Sequence, residues 1–334
     1  MKSLFLREWY SLAIMGMVVL AAVLPIDGEA AHWFLWATNV AVALLFFVHG
    51  ARLSRDVVIA GLTHWRLHLF VLATTFVLFP LLGLLMLALP EHLLGAGIAT
   101  GLLFLCLLPS TVQSSIAFTS IAGGNVSAAV CAASTSNILG MFITPLMAGA
   151  LFHATGQTGG FSLDAVEGIL LQLLAPFLLG QLVQPFIGGW LTRRKTLTQV
   201  IDRGSILMIV YGAFSDAVIA GLWTKLSIGM LATITLVDMA LLGVVLCFTY
   251  YGSAWLGFNR ADQITITFCG SKKSLATGMP MARAIFAPPD VGSIVLPLMI
   301  FHQVQLMVCA YLARRFAASH DERPTSISSA PGSR

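Results

Sequence analysis

Long apolar runs separated by short polar connections set the pattern of this chain from its first residues to about Phe316. A helix needs about 20 apolar residues to cross the hydrocarbon core of a bilayer. Ten runs approach or exceed that length, at about 10–25, 33–50, 67–89, 93–122, 126–152, 166–190, 203–223, 228–252, 262–287 and 291–313. The connections leave no room for a soluble domain, so 1–316 reads as one transmembrane unit. From Ala317 onward the chain is polar and rich in Ser and Pro. That tail, 317–334, cannot bury enough apolar surface to offset the entropy of ordering, and it is expected to be disordered. The prediction is an all-α polytopic membrane protein of ten transmembrane helices.

Two of the ten runs are interrupted near their middles. The fourth contains Pro109-Ser110-Thr111-Val112-Gln113-Ser114-Ser115, and the ninth contains Gly270-Ser271-Lys272-Lys273-Ser274. The interruptions hold matching places, fourth of five and ninth of ten, about 160 residues apart. The chain therefore divides into repeats of five spans, at about 10–152 and 166–313, and the second must be inverted relative to the first. Paired interruptions in an inverted repeat point to a transporter binding site. A break at membrane depth frees backbone donors and acceptors that lipid cannot satisfy, so it must face protein or water. The N-terminal ends of the second half-helices would carry partial positive charge and attract a carboxylate, sulfate or phosphate group. Ser110, Thr111, Gln113, Ser114 and Ser115 would add neutral donors and acceptors. Taken alone, the first break is equally a proline kink whose serines bond back to their own helix.

Lys272 and Lys273 carry more weight. An ammonium at the bilayer centre costs about 2.5–3.5 kcal/mol on insertion scales. Adjacent helical positions point roughly 100° apart, so both cannot snorkel along one face. At least one should meet water, a carboxylate or a bound anion. The competing reading makes the stretch a surface loop between two short spans.

Composition agrees with lipid as the main solvent. Of 334 residues, 58% are hydrophobic and 10% charged, against about 25% charged in soluble domains. Mean hydropathy is +0.90. The net charge of +4 matters less than its placement. With ten spans, Lys2, Arg7, Arg52, Arg55, Arg66, Arg193, Arg194, Lys195, Arg203, Arg260, Arg314 and Arg315 all fall on one side. Asp27, Glu29, Glu91, Asp164, Glu167 and Asp290 fall on the other, with Lys225 as its clearest cation. The positive-inside rule then makes both termini cytoplasmic. These basic clusters imply no nucleic-acid partner. Lys2 and Arg7 before the apolar stretch Tyr10 to Pro25 also resemble a secretory signal. A retained first span is preferred, because it keeps the basic residues together. Cys106, Cys131, Cys247, Cys269 and Cys309 lie in apolar segments without metal-type spacing and read as buried small hydrophobes.

Other polar residues fall within spans. Asp216, placed mid-span in the seventh, is a candidate proton carrier or a partner for a lysine. Asp238 is read as structural. His302, with Gln303 and Gln305 beside it, is either a satisfied interior histidine or a functional one. Ser134, Ser136 and Asn137 suit close helix packing.

Four stretches together resemble the bile acid:sodium symporter family, solute carrier family 10. They are Phe47-Val48-His49-Gly50-Ala51-Arg52-Leu53-Ser54, His64-Trp65-Arg66-Leu67-His68, Pro109 to Ala117, and Gly270 to Gly278. The resemblance covers about residues 5–316 and is nearest to the branch of the seventh human member and its bacterial relatives. It implies a panel domain of spans one, two, six and seven beside a core domain of the other six. Discontinuous spans four and nine would cross within the core. It also implies substrate binding between core and panel, with alternating access.

The family's sodium ligands match this chain poorly. Ser114 and Ser115 stand where sodium-coupled members place a Ser-Asn pair. Ala129 and Ala133 stand near the hydroxyl ligands of span five, and Lys272 and Lys273 take the Gln and Asn places of span nine. The carboxylate of that span is missing. His302-Gln303 resembles the family's His-Asn pair beside the substrate cavity.

The resulting expectation is a secondary transporter of a small organic anion that does not use the family's sodium sites and needs no cofactor or metal. Its substrate contacts would come from Ser110, Gln113, Ser114, Ser115, Ser271, Lys272, Lys273, Ser274, His302 and Gln303. Asp216 and His302 are the candidates for proton coupling. The setting would be a plasma membrane, in a bacterium the inner one. The alternative is a membrane regulator of ion homeostasis that carries no organic solute. An intramembrane hydrolase using Ser114 and His302 as nucleophile and base is a third class, which no sequence pattern demands.

Overall fold

The computed structural model describes residues 2–52, 64–88, 95–154, 174–221 and 227–321. Regular structure among the described residues is helical throughout. The helices are α1 (Lys2–Val23), α2 (Gly28–Arg52), α3 (Trp65–Met86), α4 (Ala96–Leu107), α5 (Gln113–Ile121), α6 (Val126–Ala154), α7 (Ala175–Arg193), α8 (Lys195–Ile219), α9 (Ile228–Trp255), α10 (Arg260–Gly270), α11 (Leu275–Ile285) and α12 (Pro288–Asp321). Gly28–Arg52, Trp65–Met86, Val126–Ala154, Ile228–Trp255 and Asp290–Ala318 are long and apolar enough to cross a membrane. Leu12–Val23 and Gly97–Leu107 are shorter apolar helices. Arg55, Glu91, Asp164, Glu167, Lys225 and tail residues 322–334 lie outside the described residues, as do the expected span edges at 89, 93–94, 166–173 and 222–223. Helix α12 continues to Asp321, past the point where the tail composition begins.

Both expected interruptions are present. Pro109 ends α4 by steric restriction of the residue before it. Leu108 accordingly has extended backbone, φ −72° and ψ 153°. The second break has no proline. It is set by Ser274, whose hydroxyl accepts from the Thr277 N–H at 3.2 Å and caps the start of α11. A third irregularity was not foreseen. Helix α3 widens into a π turn over Thr74–Leu78, one residue short of Pro80.

The helices pack in two groups. In the first, α2 lies against α7, and α8 lies against both α1 and α2. Glycine allows the α2–α7 approach: a Cβ at Gly50 would strike the Phe177 carbonyl, and one at Gly180 would strike that of Phe47. The Gln181 amide donates to the Gly50 carbonyl at 2.5 Å across the same contact. In the second group, α3, α4, α5, α6 and α9–α12 surround the two breaks. Gly101 lets α4 meet the Ile294 backbone of α12. Helix α8 joins the groups by packing on α11 and α12, where Gly292 fits against Ala213 and Ala217. Exposed side chains such as Trp33, Phe186, Ile228 and Trp255 give the outside an apolar surface suited to lipid. Cys247 is exposed, contrary to the reading of all five cysteines as buried, because it faces outward from α9.

Candidate functional site

The C-terminal ends of α4 and α10 and the N-terminal ends of α5 and α11 converge. A helix C-terminus leaves its last carbonyls without intrahelical donors. At α4 the Leu107 carbonyl accepts from the Thr144 hydroxyl at 2.8 Å. Past the proline, the Pro109 carbonyl accepts from the Ser274 N–H at 2.9 Å, and the Ser110 carbonyl from the Asn137 amide at 3.2 Å. At α10 the Phe268 carbonyl accepts from Ser115 Oγ at 3.1 Å and the Cys269 carbonyl from Ser110 Oγ at 2.5 Å. The first break thus supplies hydroxyls that satisfy the second, and the second returns a backbone N–H to the first. Asn137 bridges them, because its Oδ1 also accepts from Thr277 Oγ1 at 2.7 Å.

The two remaining α4 carbonyls go to a lysine. Lys273 Nζ donates to Cys106 O at 2.8 Å and Leu108 O at 2.6 Å. Its third bond, at 3.0 Å, reaches Thr75 O inside the π turn of α3. The cause is Pro80. In a π turn the Thr75 carbonyl would be bonded by the N–H five residues on, and that residue is a proline with no N–H. Three acceptors match the three hydrogens of an ammonium. The Phe79 ring centroid lies 4.0 Å away on the same Nζ. A cation is also what the negative end of α4 favours.

Lys272 is bound differently. Its Nζ donates to Ser114 O at 2.9 Å and lies 4.0 Å from the Phe118 ring centroid and 5.3 Å from that of Phe268. Both lysines are fully buried. Gln305 fixes the backbone between them: its Oε1 accepts from Lys273 N and its Nε2 donates to Lys273 O, each at 2.9 Å. The other Nε2 hydrogen goes to His302 Nδ1 at 3.0 Å, which leaves His302 to carry its proton on Nε2.

The expected site residues therefore separate. Ser110, Ser114, Ser115, Ser271, Lys272, Lys273, Ser274 and His302 gather at the crossing. Most of their polar atoms are used by the protein itself: Ser271 Oγ bonds back to Thr267 O at 2.6 Å, and the hydroxyls of Ser114 and Thr111 bond each other. Gln113 is exposed, and His302 and Gln303 are half-buried. Neither lysine meets a carboxylate among the described residues, because backbone carbonyls take that place. Ser114 and His302 are engaged with Thr111 and Gln305 rather than with one another, so the nucleophile–base pair does not form. Ser136 and Asn137 do more than permit packing, since both bond the first break.

Asp216 is not mid-span. It lies in the last turn of α8, close enough to Arg283 of α11 for their charges to interact. Arg283 escaped the sequence reading, although an arginine within the apolar stretch Met279–Ile285 is itself a signal. The structural partner expected for Asp238 is absent among the described residues: it is fully buried, with neither carboxylate oxygen hydrogen-bonded.

Residues 8–318 match the SBF-like CPA transporter family. An uncharacterised protein of Pseudomonas aeruginosa is 52% identical over 327 residues, 98% of each chain. YfeH of Escherichia coli K12, named as a candidate symporter, is 50% identical over 316 residues, 95% of each chain. Sodium/bile acid cotransporter 7 of the rat is 28% identical over 317 residues, 92% of this chain and 91% of that one. Its apolar helices, its broken pair and its match over nearly the full length make this chain an integral membrane protein that belongs to the SBF-like CPA transporter family.

Proposed function

We propose that the protein is a secondary transporter of a small organic anion in which the Lys273 ammonium takes the structural place of a bound sodium ion. The observation that carries this reading is the three-carbonyl cradle around Lys273 Nζ, at 3.0, 2.8 and 2.6 Å. Two carbonyls at the C-terminus of α4 and one from the π turn of α3, converging on one point, suit a cation of either kind. A tethered ammonium cannot dissociate, so the crossing would hold together without sodium and transport would lose its obligate coupling to it.

In this reading α4 with α5 and α10 with α11 are the fourth and ninth of ten spans. The chain is then two inverted five-span repeats, 10–152 and 166–313, with both termini cytoplasmic in a bacterial inner membrane. Helices α1, α2, α7 and α8 form the panel, and the rest form the core. Substrate would bind between them, by the half-helix N-termini of α5 and α11, with Gln113, Gln303 and His302 Nε2 as polar groups left available. Alternating access would open the seam where Gly292 meets Ala217 and Arg283 faces Asp216. Asp216 and His302 are the groups placed to couple a proton.

The test is flux in proteoliposomes across a panel of organic anions, with sodium or choline as the external cation. Flux that is equal in both supports the proposal, and a strict sodium requirement contradicts it. If no anion crosses under any gradient, the regulator of ion homeostasis becomes the better account.

A further inference from the structure

Away from the crossing, a cleft of about 410 Å³ opens where α9 ends, α10 begins and α12 passes behind them. Its polar side is Arg260, Arg315, Tyr250 and Tyr251, and its apolar side includes Leu246 and Phe316. Arg260 is held in place. Its Nη1 donates to Tyr250 Oη at 2.9 Å, and its guanidinium carbon lies 4.9 Å from the Phe316 ring centroid. Tyr250 and Phe316 stack at 5.7 Å beneath it. Most of the five guanidinium hydrogens remain after the bond to Tyr250. No acid neutralises this pair of arginines among the described residues. The nearby Asp262 is taken by Asn125 at 2.9 Å and Asn259 at 2.8 Å, and the ion pairs join His49 and Arg52 to Asp202.

An apolar track leads away from the cleft. Val244, Phe248, Tyr251 and Trp255 recur at helical spacing on one face of α9 and are 51%, 44%, 68% and 87% exposed. On the orientation set out above, the arginines stand at the cytoplasmic head-group level and the track runs into the hydrocarbon. Tyr and Trp at that boundary suit an interface.

We propose that this cleft binds an anionic phospholipid of the cytoplasmic leaflet, with its phosphate on Arg260 and Arg315 and an acyl chain along α9. Two guanidiniums with no acidic partner among the described residues supply charge complementarity for the phosphate. A free phosphate would use the arginines but leave the track bare. The site rests on that orientation but not on which solute is carried, so failure of the transport test leaves it standing.

The test uses the purified full-length protein in neutral detergent. The unfolding temperature is read against dioleoylphosphatidylglycerol, dioleoylphosphatidylcholine and inorganic phosphate. Phosphatidylglycerol should raise it, while the other two leave it unchanged. Arg260→Gln/Arg315→Gln should weaken phosphatidylglycerol binding by roughly thirtyfold. Because Arg260 also packs on Tyr250 and Phe316, Arg315→Gln alone provides a second variant, expected to lose roughly fivefold. Arg193→Gln/Arg194→Gln, at the end of α7, should lose nothing. An undiminished shift in the arginine variants, or equal protection by phosphatidylcholine, would overturn the proposal. Protection by phosphate alone would overturn it too, since the site would then serve a soluble anion.

Discussion

Lys272 and Lys273 are neighbours in sequence with unequal surroundings. Three carbonyls depend on Lys273, and one on Lys272. Removing the ammonium leaves its carbonyl partners desolvated and unpaired, at a cost of about 1–3 kcal/mol for each. Lys273→Met should therefore lower the unfolding temperature far more than Lys272→Met, whose single lost bond is worth about 1–3 kcal/mol. Equal losses in a thermal melt would contradict this account of the two sites. Asp238 poses the opposite case, since it has no hydrogen-bond partner among the described residues and a buried unpartnered carboxyl destabilises a fold. Asp238→Leu should raise the unfolding temperature, and if the acid is kept for function, flux in the same variant should fall. The sequence makes the lysines conspicuous because charge within an apolar run is rare. It cannot name their partners: those are backbone atoms, and Thr75 O is exposed only through Pro80, far away in the chain.

At the scale of helices, backbone approach matters more than side-chain size. The α2–α7 contact has no space for a Cβ at Gly50 or Gly180. Gly180→Val must push the two helices apart. Overpacking of a side chain alone costs about 1–3 kcal/mol, and a clash with backbone should exceed that. The variant should elute as a broadened or aggregated species on size exclusion, whereas Gly204→Ala on α8, with nothing within 4 Å of the added carbon, should elute as wild type. Breaks in helices were only partly legible. Pro109 and the Ser-rich segment after it announce the first, and Lys272-Lys273 announce the second through polarity. The π turn of α3 was hidden, because Pro80 sits in an apolar run whose hydropathy is unaffected by a changed hydrogen-bond pattern.

For the molecule as a whole, helix order and lipid setting were the most legible features. Both follow from run length against one fixed thickness. The meeting of the two packing groups was not, since it rests on small residues such as Gly292 and Ala217 that carry no distinctive pattern. If transport rocks one group against the other, that seam must part. Replacement of a sodium ion by Lys273 can be examined without knowing the solute. The measurement is the unfolding temperature of wild type and Lys273→Ala in sodium chloride and in choline chloride. Wild type should unfold at the same temperature in both salts. Lys273→Ala should unfold at a lower temperature that sodium partly restores by entering the vacated carbonyl cradle. Marked stabilisation of the wild type by sodium would contradict that replacement.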